Sequence, residues 1–111
     1  MRNPKFNEIV KAITEKMSEI LPPGSRGVLY GSQARGDANL DSDWDIHILI
    51  SGEEELPREL INKYAFPIEE IGYNYGEWMA VMVYSYKGWE KRSFLPYYKN
   101  VEKDKLILFE N

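Results

Sequence analysis

The chain has 111 residues, a formal net charge of −4 and no cysteine, so it fits one domain over residues 1–111 and excludes both a disulfide framework and a thiolate metal site. With hydrophobic residues at 43% and aromatic residues at 14% it should fold rather than stay disordered, and its acidic balance argues against sequence-independent binding to nucleic-acid backbones. No apolar run approaches the roughly 20 residues that cross a bilayer, and Met1-Arg2-Asn3-Pro4 opens no apolar signal region, so the expected compartment is the cytoplasm.

Asn3 can cap a first helix and Pro4 can take its first position, with Phe6, Ile9, Val10, Ile13, Met17, Ile20 and Leu21 on one face. Pro22-Pro23-Gly24 stops it, and Gly27 to Tyr30 reads as a short buried strand delivering the chain to Gly31. Ser32 to Arg35 is expected as a short helix, Gly36 to Asn39 as loop, and Trp44 to Ile50 as a second strand. Leu56, Leu60, Ile61, Tyr64, Ala65, Ile68, Ile71 and Tyr75 keep helical spacing, with a kink expected at Pro67 and a stop at Gly76. Trp78 to Tyr84 reads as a third strand, apolar on both faces and hence central or covered. Ser85 can cap a helix through about Phe94, Pro96 can begin another, and Leu106 to Phe109 closes as a strand. The expected fold class is α/β (α+β), a small mixed sheet flanked by helices.

Two short motifs carry chemistry. In Gly31-Ser32-Gln33-Ala34-Arg35-Gly36 a glycine after a strand lets backbone approach a ligand, and a helix starting there turns free N–H groups outward. Ser32 adds a hydroxyl. In Ser42-Asp43-Trp44-Asp45-Ile46 two carboxylates at strand spacing share a face, their roots about 6–7 Å apart. At an effective dielectric of about 20 they repel by roughly 2–3 kcal/mol, which a divalent cation relieves: Mg²⁺ binds through one or two carboxylates, waters and substrate phosphates. Taken alone, Asp43 and Asp45 would more often be a solvated acidic edge and Gly-Ser an ordinary turn. Together they point to a nucleoside triphosphate.

Around them, Arg35 can brace a phosphate or a carboxylate, with a structural role preferred. Gly36 permits the turn, and Ser42 can bond within the loop. His47 shares strand parity with the acids but belongs to packing, since Mg²⁺ prefers oxygen ligands.

With ten residues between Ser32 and Asp43, this pattern resembles the polymerase-beta-like nucleotidyltransferase superfamily, specifically its minimal nucleotidyltransferases. The resemblance implies a nucleotidyltransferase-like fold, Gly31 and Ser32 as nucleotide-binding residues, Asp43 and Asp45 as catalytic residues holding Mg²⁺ or Mn²⁺, and transfer of a nucleoside monophosphate from a triphosphate to a hydroxyl acceptor. It also implies a helical HEPN-type partner, with the chain as antitoxin to that toxin. Active members usually carry a third carboxylate on the next strand, where this chain has Ala80. Glu77 is three residues away and of opposite parity, and Glu69 and Glu70 fall on the preceding helix. Two readings stay open: an enzyme that finds this group elsewhere, or an impaired, nucleotide-binding regulatory module. Trp89, Phe94, Tyr97 and Tyr98 are expected in the core, and so small a domain can leave apolar surface for a second subunit to complete.

Overall fold

The computed structural model describes residues 3–111, so Met1 and Arg2 lie outside the account. Five helices and four strands follow in the order α1 (Phe6–Ile20), β1 (Arg26–Tyr30), α2 (Gly31–Arg35), β2 (Trp44–Ile50), α3 (Arg58–Tyr75), β3 (Met79–Ser85), α4 (Tyr86–Glu90), α5 (Pro96–Asp104) and β4 (Leu106–Glu110). The strands form one mixed sheet in the order β3-β2-β1-β4. β1 is antiparallel to both β2 and β4, whereas β2 and β3 run parallel, as the α3 crossover between them requires.

Alternation along β2 divides the core. Ile46, Ile48 and Ile50 point to the face covered by α1 and α3, where Phe6, Ile9, Ile13, Met17, Tyr64 and Ile68 complete the larger cluster. Leu49 points the other way, toward Val28, Trp89 and Val101 beneath α4 and α5. Trp44 stacks on Phe6 at 5.2 Å between ring centroids. Close approach of α1 to β1 depends on Gly27, since a Cβ there would collide with the Met17 sulfur.

Five expectations are corrected by the structure, the first being Phe94, which was expected in the core and is 74% exposed because α4 ends before it. The first helix begins at Phe6 because the Asn3 side chain accepts the Lys5 N–H (2.7 Å), leaving Pro4 in a turn ahead of the helix. The third helix starts after Pro57, so Leu56 packs on the core from outside it; Pro67 lies inside that helix as expected. α4 ends at Glu90 rather than near Phe94: Pro96 forces Leu95 into extended backbone, and the chain reaches it through turns. Finally, β3 is not central, although α3 covers one of its faces, where Met79 and Val83 are buried. It is an edge strand, its apolar character serving the α3 side while Met82 stands exposed.

Candidate active site

β1 and β2 pair so that Tyr30 lies opposite Asp45. Leaving β1 at Tyr30, the chain must turn at Gly31, and the turn passes directly over the Asp45 side chain. Gly31 has φ +74°, a backbone region open to glycine at little cost. A Cβ at this position would run into the Asp45 carboxylate. The glycine-serine corner and the second acid, fourteen positions apart in the chain, are thus in contact.

Asp43 is exposed and immediately precedes β2, whereas Asp45, within it, is half-buried. Trp44 between them turns into the opposite core, as the alternation of extended backbone predicts. Burial raises the Asp45 carboxyl above its ordinary value, the Asp43 charge raises it further, and Arg35 partly counters both. Among the described residues, neither acid forms an ion pair, and no group of three His, Cys, Asp or Glu side chains could enclose a metal. Two carboxylates without an ion-pair partner could supply two of the oxygen ligands a hard cation takes.

The surrounding residues shape this corner. Arg35 binds Asp104 at 2.7 Å and Asp37 at 3.1 Å, tying α2 to α5 rather than reaching the motif acids. Gly36 closes α2 with φ 86°, its N–H donating to the Ser32 carbonyl. Ser42 accepts the Asn39 N–H at its hydroxyl and the Gln33 amide at its carbonyl, holding the loop that carries Asp43. The Ser32 backbone serves the turn, and its hydroxyl has no partner among the described residues.

His47 lies in a cage of rings: Trp89 at 4.0 Å, Tyr84 at 5.5 Å, and Tyr30 and Tyr97 at 6.3 Å between centroids. Neither ring nitrogen has a partner among the described residues. Burial holds it neutral, with a pKa lowered to about 3 and the Arg26 charge acting in the same direction. It packs, as expected.

Ala80 sits beside Asp45 in the parallel ladder, so its methyl group occupies the neighbouring position on the acidic face. Glu77 accepts a hydrogen bond from the Trp44 indole at 2.9 Å and is committed there. Glu69 and Glu70 line a separate hollow with Phe66, Tyr73 and Trp78.

A cleft of about 420 Å³ opens from Gly31 along Tyr30, Arg35, Tyr97, Asn100, Lys103 and Asp104. Asn100 and Lys103 had no signal in the sequence beyond a short helix begun by Pro96, and Tyr97 was marked only as a core aromatic; their place depends on α5 lying across the end of the sheet. The Tyr30 and Tyr97 hydroxyls meet at 3.4 Å, and burial raises both phenols, keeping them neutral beside Asp45.

Residues 10–109 match the profile of the nucleotidyltransferase domain family. No sequence among curated proteins matches significantly. Among solved structures, the fold resembles a chain in the crystal structure of a toxin–antitoxin with AMP-PNP (TM-score 0.64, 16% identity, covering 92% of this chain and 73% of that one). It also resembles a protein provisionally described as a nucleotidyltransferase from Sulfolobus solfataricus (TM-score 0.65, 20% identity, covering 96% and 85%).

Proposed function

The chain belongs to the nucleotidyltransferase domain family, and from that premise we propose that it transfers a nucleoside monophosphate from a nucleoside triphosphate to a hydroxyl acceptor, with pyrophosphate leaving. The observation that carries this reading is the contact of the Gly31 backbone with the unpaired Asp45 carboxylate. Asp43 and Asp45 would hold Mg²⁺ or Mn²⁺, which when bound offsets charge developing on the phosphates. The N–H groups and hydroxyl at Gly31 and Ser32 would take the departing phosphates, and the cleft beyond Gly31 has room for more of the nucleotide. Two neutral phenols, Tyr30 and Tyr97, place no additional negative charge against them.

The acceptor is proposed to be a partner protein. A structural neighbour is a toxin–antitoxin that was crystallised with AMP-PNP, and the sequence resemblance favours a helical HEPN-type toxin with this chain as its antitoxin, acting in the cytoplasm. No helix of the described residues is long and apolar enough to cross a membrane.

A second reading rests on Ala80. A methyl group beside Asp45 can neither ligate metal nor accept a proton, which favours a module that binds nucleotide and regulates a partner without turnover. Incubation with labelled ATP, GTP, CTP or UTP plus Mg²⁺ or Mn²⁺, with and without the product of the neighbouring gene, separates the two. Label transfer that disappears in Asp43→Asn and Asp45→Asn supports the enzyme. Metal-dependent nucleotide binding without transfer supports the module.

A further inference from the structure

We propose that the chain forms a two-fold dimer in which β3 pairs antiparallel with β3 of a second copy, joining the two four-stranded sheets into one. Sheet edges present unpaired N–H and C=O groups, and soluble proteins normally blunt them with charges, proline, bulges or short strands. β4, at one edge, has five residues, is flanked by Lys105, carries Glu110, and lies against an irregularity at Gly27 and Val28. β3, at the other, has seven residues without a charge or proline, and its register with β2 runs unbroken from Met79 to Ser85. No strand of the described residues covers its outer side.

The flank of this edge is apolar. Trp78 is 75% exposed, Met82 41%, and Phe66 and Tyr73 on the adjoining α3 are 59% and 85% exposed. An uncharged edge bordered by exposed aromatic side chains is the arrangement that association buries.

Charge selects both the occupant and the direction. At the N-terminal end of β3, Glu69, Glu70 and Glu77 border the hollow formed with Trp78. Toward the C-terminal end, Arg58 and Arg92 border a second hollow along Val81 to Ser85. Glu54 and Glu55 share that second hollow but are taken up by Lys91 (3.1 Å) and Arg92 (3.8 Å), whereas Arg58 has no acidic partner among the described residues. Antiparallel pairing about a two-fold axis brings the acidic end of each copy to the Arg58 end of the other. Parallel pairing would set like ends together. The surface is therefore complementary to itself, as a closed two-fold interface requires.

Sedimentation velocity of the purified chain over a concentration series tests this. The expected result is a dimer whose dissociation constant rises at least about tenfold, a change of about 1.4 kcal/mol, in Met82→Lys and in Trp78→Ser. Both side chains are exposed enough for these variants to keep the wild-type circular dichroism, and either one suffices if the other does not fold. Arg58→Glu should weaken the dimer similarly, and adding Glu69→Lys with Glu70→Lys should restore it. A wild-type chain that stays monomeric at every concentration overturns the proposal, as does a dimer that persists in a folded Met82→Lys or Trp78→Ser variant. Failure of the charge exchange to restore association overturns the antiparallel arrangement. An edge that pairs only with a strand from a different protein would show itself as a monomer here, and counts against the proposal.

Discussion

At the scale of single residues the proposed site sets local stability against the metal binding proposed for it. Asp45 is half-buried beside the Asp43 charge, and both influences raise its pKa, so at neutral pH its charged form is less favourable in the folded chain than in the unfolded one. We expect Asp45→Asn to raise the melting temperature of the metal-free protein by a few degrees, because the amide carries no charge to hold half-buried beside Asp43. Scanning calorimetry of the two proteins at neutral pH checks it; a fall in melting temperature would contradict the assignment. His47 gives a different signature. Its pKa is near 3 in the fold against an ordinary 6.5, so between those values the unfolded chain binds a proton that the folded chain refuses. Stability is complete above pH 6.5 and declines as the pH falls, at up to about 1.4 kcal/mol per pH unit. Glu102 contributes with the same sign, but only below its ordinary value of 4.5. Melting curves between pH 6.5 and 5 should therefore decline more steeply in the wild type than in His47→Phe, and equal slopes would refute the reading.

At the scale of elements, one carboxylate on α5 gathers donors from β1 and α4. Glu102 accepts from Arg26 (2.9 and 3.3 Å), the Trp89 indole (2.8 Å) and Lys105 (2.7 Å). Burial would raise its carboxyl, but these donors together bring it down to about 2. Glu102→Ala leaves Arg26, only 11% exposed, without its partner, and chemical denaturation should show a loss of about 1–3 kcal/mol. A quarter of the Glu102 side chain is open to solvent, which keeps the loss below that of a fully buried pair. The Arg26 and Trp89 contacts were invisible in the sequence because these residues are distant from Glu102 in the chain, and no periodicity marks them. What was legible had a short-range cause. α1 and β2 follow from apolar period, α4 begins where the Ser85 hydroxyl accepts the Gly88 N–H, and α5 begins at Pro96. The edge position of β3 was not legible, because an apolar run records how many side chains find cover and not which backbone edge is paired.

At the scale of the whole molecule, the sheet is the device that assembles the site. Its β1–β2 register sets Gly31 over Asp45, its β2–β3 register sets Ala80 beside Asp45, and α5 closes one side of the cleft. Gly31, Ser32, Asp43 and Asp45 stood out in the sequence by residue type and spacing together with the family resemblance, because a strand, a tight turn and a second strand are local. The cleft wall of Tyr97, Asn100 and Lys103 did not, since its position depends on a helix some sixty residues downstream packing across the sheet. Fold and acidic corner thus belong to one tertiary arrangement, and the proposed function requires that corner to take a metal-bound triphosphate. The most direct measurement is the melting temperature with each of the four nucleoside triphosphates, with and without Mg²⁺ or Mn²⁺, in the wild type and in Asp45→Asn. A ligand at about 100 times its dissociation constant adds about 2.7 kcal/mol, so the account predicts a clear metal-dependent rise with at least one triphosphate, absent in Asp45→Asn. No rise with any nucleotide and metal, or an equal rise in the variant, would contradict it.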